Sequence, residues 1–439
     1  MGSKLHLDDA WVNVNDIDVN HMMYGNFIGV QYVFRDRLNE AVLNKAWRHI
    51  RHRFPKLASQ FDNKTRGLKP YDGQIFESSD TDMSLQDFLK AEDPDRFRSK
   101  FITEPNRRYI QNGRKGLSYL KLTNFSSGGC VLGLAINHLI SDGSGVHKLA
   151  RELADIYTAL REGSDVEDSQ LVSSLPEFTF GTENGWLETQ SELKRQNLKT
   201  PMSLSGIHGF LFRQVTNWAM DKIIAQKRLR IHFSPEQVLS LKETTLRESD
   251  EDWISTNMAL CAHFTSIMIA LVQNDNPHKN IRLGQLLDLR NRYFKDKDNK
   301  QSDFIGNAIL IHTETPNMTD YSRGSLARFF KSFVGDLTPD SMRNRMDLVA
   351  DCLRHGRNYP GLEMSDLLLA VNNQTKMSVY DIEFSEQKPI QIIPQDVGDT
   401  IMFFPASDGG VDVYLRDLFK PKRQAKLETQ VWQSRIYDF

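Results

Sequence analysis

Residues 126–161 constrain this chain more than any other stretch. A turn-forming SSGG at 126–129 opens it, and seven apolar residues follow without interruption at 130–136 (CVLGLAI). The polar loop NHLISDGSG comes next. Apolar positions then return at helical spacing through Val146, Leu149, Leu153 and Ile156 within 145–161. An apolar run of this length reads as a strand buried on both faces, and it is far short of the ~18 residues that a membrane span requires. Such a strand needs other elements on both sides, so the chain is expected to build a layered α/β body.

The same alternation runs through the rest of the sequence, without repeats. Helical periodicity is expected at 38–53, ended by Pro55, and a half-buried strand at 117–124. A strand at 228–233 leads into Ser234-Pro-Glu-Gln237, which carries the residues of a capping box with proline at the first helical position. Residues 255–272 are apolar nearly all round and read as a buried helix. Strands are expected at 283–289, 308–312, 378–384, 400–404 and 410–415, and a terminal helix at 420–434. Between the halves, 162–201 is polar and broken by Gly163, Pro176, Gly181 and Pro201. The 439 residues exceed the ~250 at which single cores stop growing. Two similar domains of mixed sheet plus helices are therefore expected, 1–190 and 226–439, joined by a long crossover at 191–225.

Charge and cysteine usage narrow the partners. Fifty-five basic against 57 acidic residues leave a formal charge of -2, with no positive field for nucleic acid or an anionic membrane. Cys130, Cys261 and Cys352 are widely spaced in apolar surroundings, without a C-x-x-C pair, and read as buried free thiols in a reducing compartment. The first residues (MGSKLHLDDA) lack the apolar core of a secretion signal, so a cytoplasmic location is expected.

Chemistry concentrates in the loop after the apolar run. His138 and Asp142 stand four apart where the strand ends and the helix begins, and Gly143 and Gly145 would permit a tight turn with positive φ. A neutral imidazole there can take a proton from an alcohol or amine near pH 7, since its ordinary pKa is ~6.5. By itself the segment fits a general base and a hydrogen-bonded loop histidine equally well. A metal set of His138, Asp142 and His147 matches no usual ligand spacing, so no metal is expected. Ser144 lacks the flanking glycines of a nucleophile elbow.

The segment 137–143 (NHLISDG) resembles the H-x-x-x-D-G motif of the BAHD-type acyl-CoA-dependent acyltransferases. The resemblance continues in order: 231–242 (IHFSPEQVLSLK), Ser255-Thr256 with Ala259-Leu-Cys-Ala262-His, 288–292 (DLRNR) and 304–308 (FIGNA). Tyr380 to Pro389 is similar to the family's Y-x-x-D-F-G-W-G-K-P, with Glu383 for Asp, Ser385 for Gly and Glu386-Gln387 for Trp-Gly. A weaker likeness lies at 19–22 (VNHM).

The resemblance implies the two-domain architecture shared with chloramphenicol acetyltransferase. It implies acyl transfer from acyl-CoA, as co-substrate, to a hydroxyl or amine of a small molecule in specialised metabolism. No permanently bound cofactor and no covalent acyl-enzyme are implied, and a monomer is expected. His138 would be the general base. Asp142 would pair with Arg290, joining the two halves and shaping the loop with Gly143, or else simply cap the following helix. Ser255 and Thr256 would meet CoA phosphates at a helix N-terminus, or else cap their own helix. Gly306 and Asn307 would allow close approach of the cofactor, or else shape a turn. Two alternatives carry other functions: a non-catalytic accessory protein, and a condensation-type enzyme fed by a carrier protein. Condensation domains usually show two adjacent histidines, and here the first is Asn137.

Overall fold

The computed structural model describes residues 12–13, 18, 26–62, 67–91, 98–166, 180–182, 184–196, 198–201, 229–275, 281–293, 304–335, 337–357, 359–360, 367–394, 400–415 and 425–439. Most of the expected crossover at 191–225, and the segment 19–22, lie outside them. Two compact units divide the chain, and neither is contiguous. The first takes Met1–Phe180, Asp288–Ile309 and Met377–Gln395, and the second takes Gly181–Leu287, Leu310–Lys376 and Asp396–Phe439. Two pieces of the later half of the sequence thus complete the first unit.

Strands β1 (Val12–Asn13), β2 (Phe27–Phe34), β3 (Ser59–Asp62), β4 (Gly67–Pro70), β5 (Phe76–Thr81), β6 (Ser118–Phe125) and β7 (Cys130–Asn137) belong to the first unit. Strands β8 (Leu229–Phe233), β9 (Ile281–Asp288), β10 (Ile309–Glu314) and β11 (Leu367–Asn373) build the second. Strand β12 (Gln391–Pro394) returns to the first, and β13 (Thr400–Pro405) and β14 (Val411–Leu415) to the second.

In the first unit the main sheet has the order β12-β2-β7-β6-β5. It is mixed: β5 and β6 are parallel, and the other pairs antiparallel. Every residue of β7 is buried, as the unbroken apolar run requires. The register Phe27↔Asn137 through Phe34↔Cys130 gives the two faces different coverings. On the face of Tyr32, the helix α2 (Gly143–Arg161) packs through His147, whose Nδ1 lies 2.9 Å from the Tyr32 hydroxyl. Helix α1 (Glu40–Arg53), capped by Asn39, lies beside α2. Val33, Val131 and Ile393 on the opposite face join Phe88, Phe101 and Phe125 in a small core.

The second unit is a six-stranded mixed sheet of order β10-β9-β11-β13-β14-β8. Helix α3 (Trp186–Arg195) packs on α7 (Pro339–Arg354), while α4 (Pro235–Ser249) and α6 (Arg323–Gly335) flank α5 (Thr256–Asp275). The expected capping box of α4 is present in both directions, Gln237 N–H to Ser234 Oγ and Ser234 N–H to Gln237 Oε1. Helix α5 is apolar all round because it is covered by the sheet as well as by its neighbouring helices. Its stretch Thr256–Asn274 is long and apolar enough to cross a membrane, yet 72% of that apolar window is buried inside the fold.

Three expectations are corrected. Residues 378–384 are not a strand. A short 3₁₀ turn at Val379–Asp381 buries Val379, and Ile382 and Phe384 turn inward after it. Apolar alternation there reflects burial of a loop, not pleating. The expected terminal helix is interrupted at Glu428 and Thr429: residues 425–427 are helical, α8 (Gln430–Ile436) starts afresh, and 420–424 lie outside the described residues. The polar stretch 162–201 contains α3, whose buried side is only Thr189 and Leu193, too sparse to show as periodicity. All three cysteines are buried and free.

Candidate active site

The end of β7 delivers His138 while the sheet still holds its backbone. The His138 N–H donates to the Asn26 carbonyl at 2.7 Å, extending the β2 pairing by one residue. Asn137 then turns the chain: its Oδ1 accepts from Leu139 N–H and its carbonyl from Ile140 N–H, both at 3.0 Å. The Ser141 hydroxyl donates to the Ile305 carbonyl at 2.5 Å. Asp142 closes the loop as N-cap of α2, accepting from Gly145 N–H at 2.9 Å.

Asp142 also pairs with Arg290. Arg290 Nη2 meets Oδ1 and Nη1 meets Oδ2, each at 3.0 Å, and the Ala308 N–H adds a bond to Oδ2 at 2.7 Å. Cap and ion pair are therefore not alternatives, since one carboxylate accepts four hydrogen bonds. Arg290 is equally saturated: Nε donates to the Phe304 carbonyl, Nη2 to the Gly306 carbonyl and Nη1 to Asp288 Oδ1. A guanidinium has five N–H groups, and all five are used. The Phe304 ring lies 5.5 Å from its central carbon. Burial alone would lower the Arg290 pKa, but the Asp142 and Asp288 carboxylates outweigh it and hold the charge in place.

The two helix-start glycines behave differently from expectation. Gly143 and Gly145 are not in the positive-φ region, because α2 already begins at Gly143. Gly145 is required by space instead. A Cβ there would lie 2.1 Å from the Ile305 carbonyl oxygen and 2.2 Å from Ser141 Oγ. The Ser144 hydroxyl donates to Asp288 Oδ2 at 2.7 Å.

His138 is only 7% exposed. Its Nδ1 lies 3.0 Å from Asn307 Oδ1, and Asn307 Nδ2 donates to the His138 carbonyl at 2.8 Å and to Asp18 Oδ1 at 2.8 Å. Among the described residues none pairs with Nε2. Burial lowers the His138 pKa below the ordinary histidine value, and Asp142, its own backbone carbonyl and Asn307 offset this only in part. A buried imidazole that stays neutral, with one nitrogen engaged and the other open, has the form of a general base.

The structure thus gathers His138, Asp142, Gly143, Arg290, Gly306 and Asn307 in one unit. Asn307 contacts the imidazole directly, a role the sequence did not suggest. Ser255 and Thr256 belong to the second unit, at the start of α5. Ser255 Oγ accepts from Met258 N–H at 3.2 Å, so it caps its own helix. Asp18, Ser141 and Asp288 were not singled out from sequence. Asp288 could have been, since it stands two residues before Arg290 in DLRNR; Asp18 has no local signal.

Gln31 lies on the sheet face of Val33 and Val131, and by strand alternation the Asn137 side chain shares that face while His138 points to the other. Gly29 and Gln31 of β2 face Ala135 and Gly133 of β7, and Phe27 faces Asn137. Gln31 Nε2 and Oε1 and Asn137 Nδ2 are buried without a partner among the described residues. Such atoms cost ~1–3 kcal/mol each unless a ligand or ordered water satisfies them.

Comparison with known proteins bears on this arrangement. The profile described as the Transferase family matches residues 33–417. No curated protein matches the sequence. Among solved structures, TRI101 of F. graminearum complexed with coenzyme A and deoxynivalenol is similar at 15% identity and TM-score 0.66, covering 97% of this chain and 98% of that one. Vinorine synthase is similar at 14% identity and TM-score 0.67, covering 99% and 95%. The first condensation domain of the CDA synthetase is similar at 13% identity and TM-score 0.60, covering 98% and 95%.

Proposed function

The chain belongs to the Transferase family, the BAHD-type acyltransferases, and from that premise we propose that it moves an acyl group from acyl-CoA to a hydroxyl or amine of a small molecule, with His138 as general base. The observation that carries this is the imidazole itself: buried, held by Asn307 at Nδ1 and with no partner at Nε2 among the described residues. Nε2 takes the proton as the acceptor oxygen or nitrogen attacks the thioester carbon. The tetrahedral intermediate then collapses, the C–S bond breaks, and the CoA thiolate receives the proton from Nε2. No acyl-enzyme forms. General-base assistance of this kind contributes ~10²–10⁴-fold.

Asp142 and Arg290 stand outside the proton path and hold the loop rigid. TRI101 was solved with coenzyme A and a mycotoxin, which supports a CoA donor and a small acceptor here. For the CoA phosphates we assign Thr256 at the N-terminus of α5, with Ser255 occupied as its cap. The same reading has the protein acting as a cytoplasmic monomer.

The likeness to a condensation domain favours one second reading, in which the acyl group arrives on a carrier protein. One experiment separates the two. Purified protein is offered a panel of acyl-CoAs with pooled alcohols and amines, and products are read by mass spectrometry beside His138→Ala. An acylated product that vanishes in the variant supports the proposal. Equal product from both proteins removes His138 as the base, and turnover only with carrier-bound donors moves the protein to the second reading.

A further inference from the structure

We propose that Asp18 dictates which nitrogen of His138 carries the proton, acting through Asn307, so that both are positioning residues for the transfer. This rests on the reading of His138 as the base. The inference follows from counting donors and acceptors along the chain of contacts. The Asp18 carboxylate accepts from Asn307 Nδ2 at 2.8 Å, and the His138 carbonyl accepts from the same nitrogen at 2.8 Å. An ionised carboxylate and a carbonyl can only accept, so both amide hydrogens of Asn307 are committed. Turned over, the amide would set its oxygen against two other acceptors. Its orientation is therefore fixed by partners and not by shape.

With the amide fixed, Asn307 Oδ1 faces His138 Nδ1 at 3.0 Å, and an acceptor there requires Nδ1–H. A neutral imidazole carries one N–H, so the lone pair falls on Nε2, the nitrogen without a partner among the described residues. Asp18 reaches the base across 289 positions of sequence from Asn307, yet all three residues lie in the first unit. A neutral amide between carboxylate and ring fixes the tautomer without setting a negative charge against it. The base stays weakly basic, which suits an imidazole that must be unprotonated when the acceptor binds.

The test combines a spectroscopic and a kinetic readout on the full chain. ¹⁵N-histidine labelling reports the tautomer, with the His138 signal identified by its loss in His138→Gln. Wild type is expected to show Nδ1–H at His138. Asp18→Ala is expected to mix the tautomers and to lower kcat about 10- to 100-fold with little change in KM for acyl-CoA. Asp18→Asn, which still offers an oxygen to Nδ2, is expected to restore most of both. A wild-type His138 protonated on Nε2 overturns the proposal, whether or not any variant folds. So does a folded Asp18→Ala with unchanged tautomer and kcat. Undiminished turnover in His138→Gln would instead remove the base on which the proposal stands, a failure distinguishable from either.

Discussion

Arg290 meets both carboxylate oxygens of Asp142 at 3.0 Å, and the pair lies wholly within the first unit although 148 positions separate the residues. The expected tie between two halves is thus a tie between two segments of one unit: the loop bearing His138 and the strip Asp288–Ile309. Breaking it strands a buried charge. Arg290→Ala or Asp142→Ala is expected to cost ~3–5 kcal/mol, because the remaining partner keeps its burial and loses its counter-charge. Replacing both by apolar residues should cost less than the sum of the two. Urea unfolding of the four proteins completes the cycle, and additive losses would show that the pair is not coupled.

Spacing matters as much as charge at the same corner. Gly145→Ala would push a methyl group into the Ile305 carbonyl and the Ser141 hydroxyl, both closer than 2.5 Å to its position. The start of α2 must shift, and His138 with it. Turnover is expected to fall by at least tenfold, roughly the cost of misplacing a catalytic group by a fraction of an ångström. Gly163→Ala is the control for a glycine substitution, since nothing lies within 4 Å of its added carbon, although its φ of +75° brings local strain. Equal losses of activity in both variants would discount the close approach.

Proton transfer carries its own signature. Burial lowers the His138 pKa, so the base stays neutral below the ordinary ~6.5. The expected kcat/KM profile is flat from pH 8 down to about 6.5 and falls only on the acid side of that value. Asn307→Asp sets a negative charge against Nδ1, favours the imidazolium and moves the acid limb upward. An acid limb above pH 7 in wild type would contradict a desolvated base.

How much of this was legible depended on distance along the chain. His138, Asp142 and Arg290 were readable because each sits in a short segment with its own pattern. The strand β7 and the capped helix α4 were readable from burial and capping residues in a single window. Asp18 was not, because its meaning comes only from a contact with Asn307 made by folding. Residues 378–384 misled because Tyr380, Ile382 and Phe384 alternate as in a strand, and a loop can turn the same residues inward. Helix α3 was hidden for the opposite reason, having too few buried residues to mark a face.

The tight turn after that misread loop offers a stabilising change. Phe384 and Gln387 exchange backbone hydrogen bonds, and Ser385 and Glu386 between them both have positive φ, 47° and 69°. This is the geometry in which glycine or asparagine is preferred. Glu386 is exposed, so Glu386→Gly removes left-handed strain without loss of packing. The expected gain is about 0.5–1 kcal/mol, the strain relieved less the added freedom of the unfolded chain. A rise in thermal midpoint would confirm it, and a fall would show that the Glu386 side chain contributes more than its backbone costs.

Two buried histidines away from the catalytic loop set the acid limit of the fold. Burial lowers the pKa of both His147, bonded to the Tyr32 hydroxyl, and His263, bonded to the Ile436 carbonyl, to about 4. In the unfolded chain each titrates near ~6.5. Between these values the unfolded state binds a proton at each site that the folded state refuses. Their contribution to stability is therefore complete above pH 6.5 and is lost as pH falls toward 4, at up to ~1.4 kcal/mol per pH unit for each histidine. Urea midpoints measured between pH 7.5 and 5 should fall accordingly. Pairing His147→Leu with Tyr32→Phe removes one titrating group together with its partner, and should make the slope over that window shallower by that histidine's share, His138 and His263 keeping theirs. A midpoint that stays constant from pH 7.5 to 5 would mean that neither imidazole is held neutral by the fold.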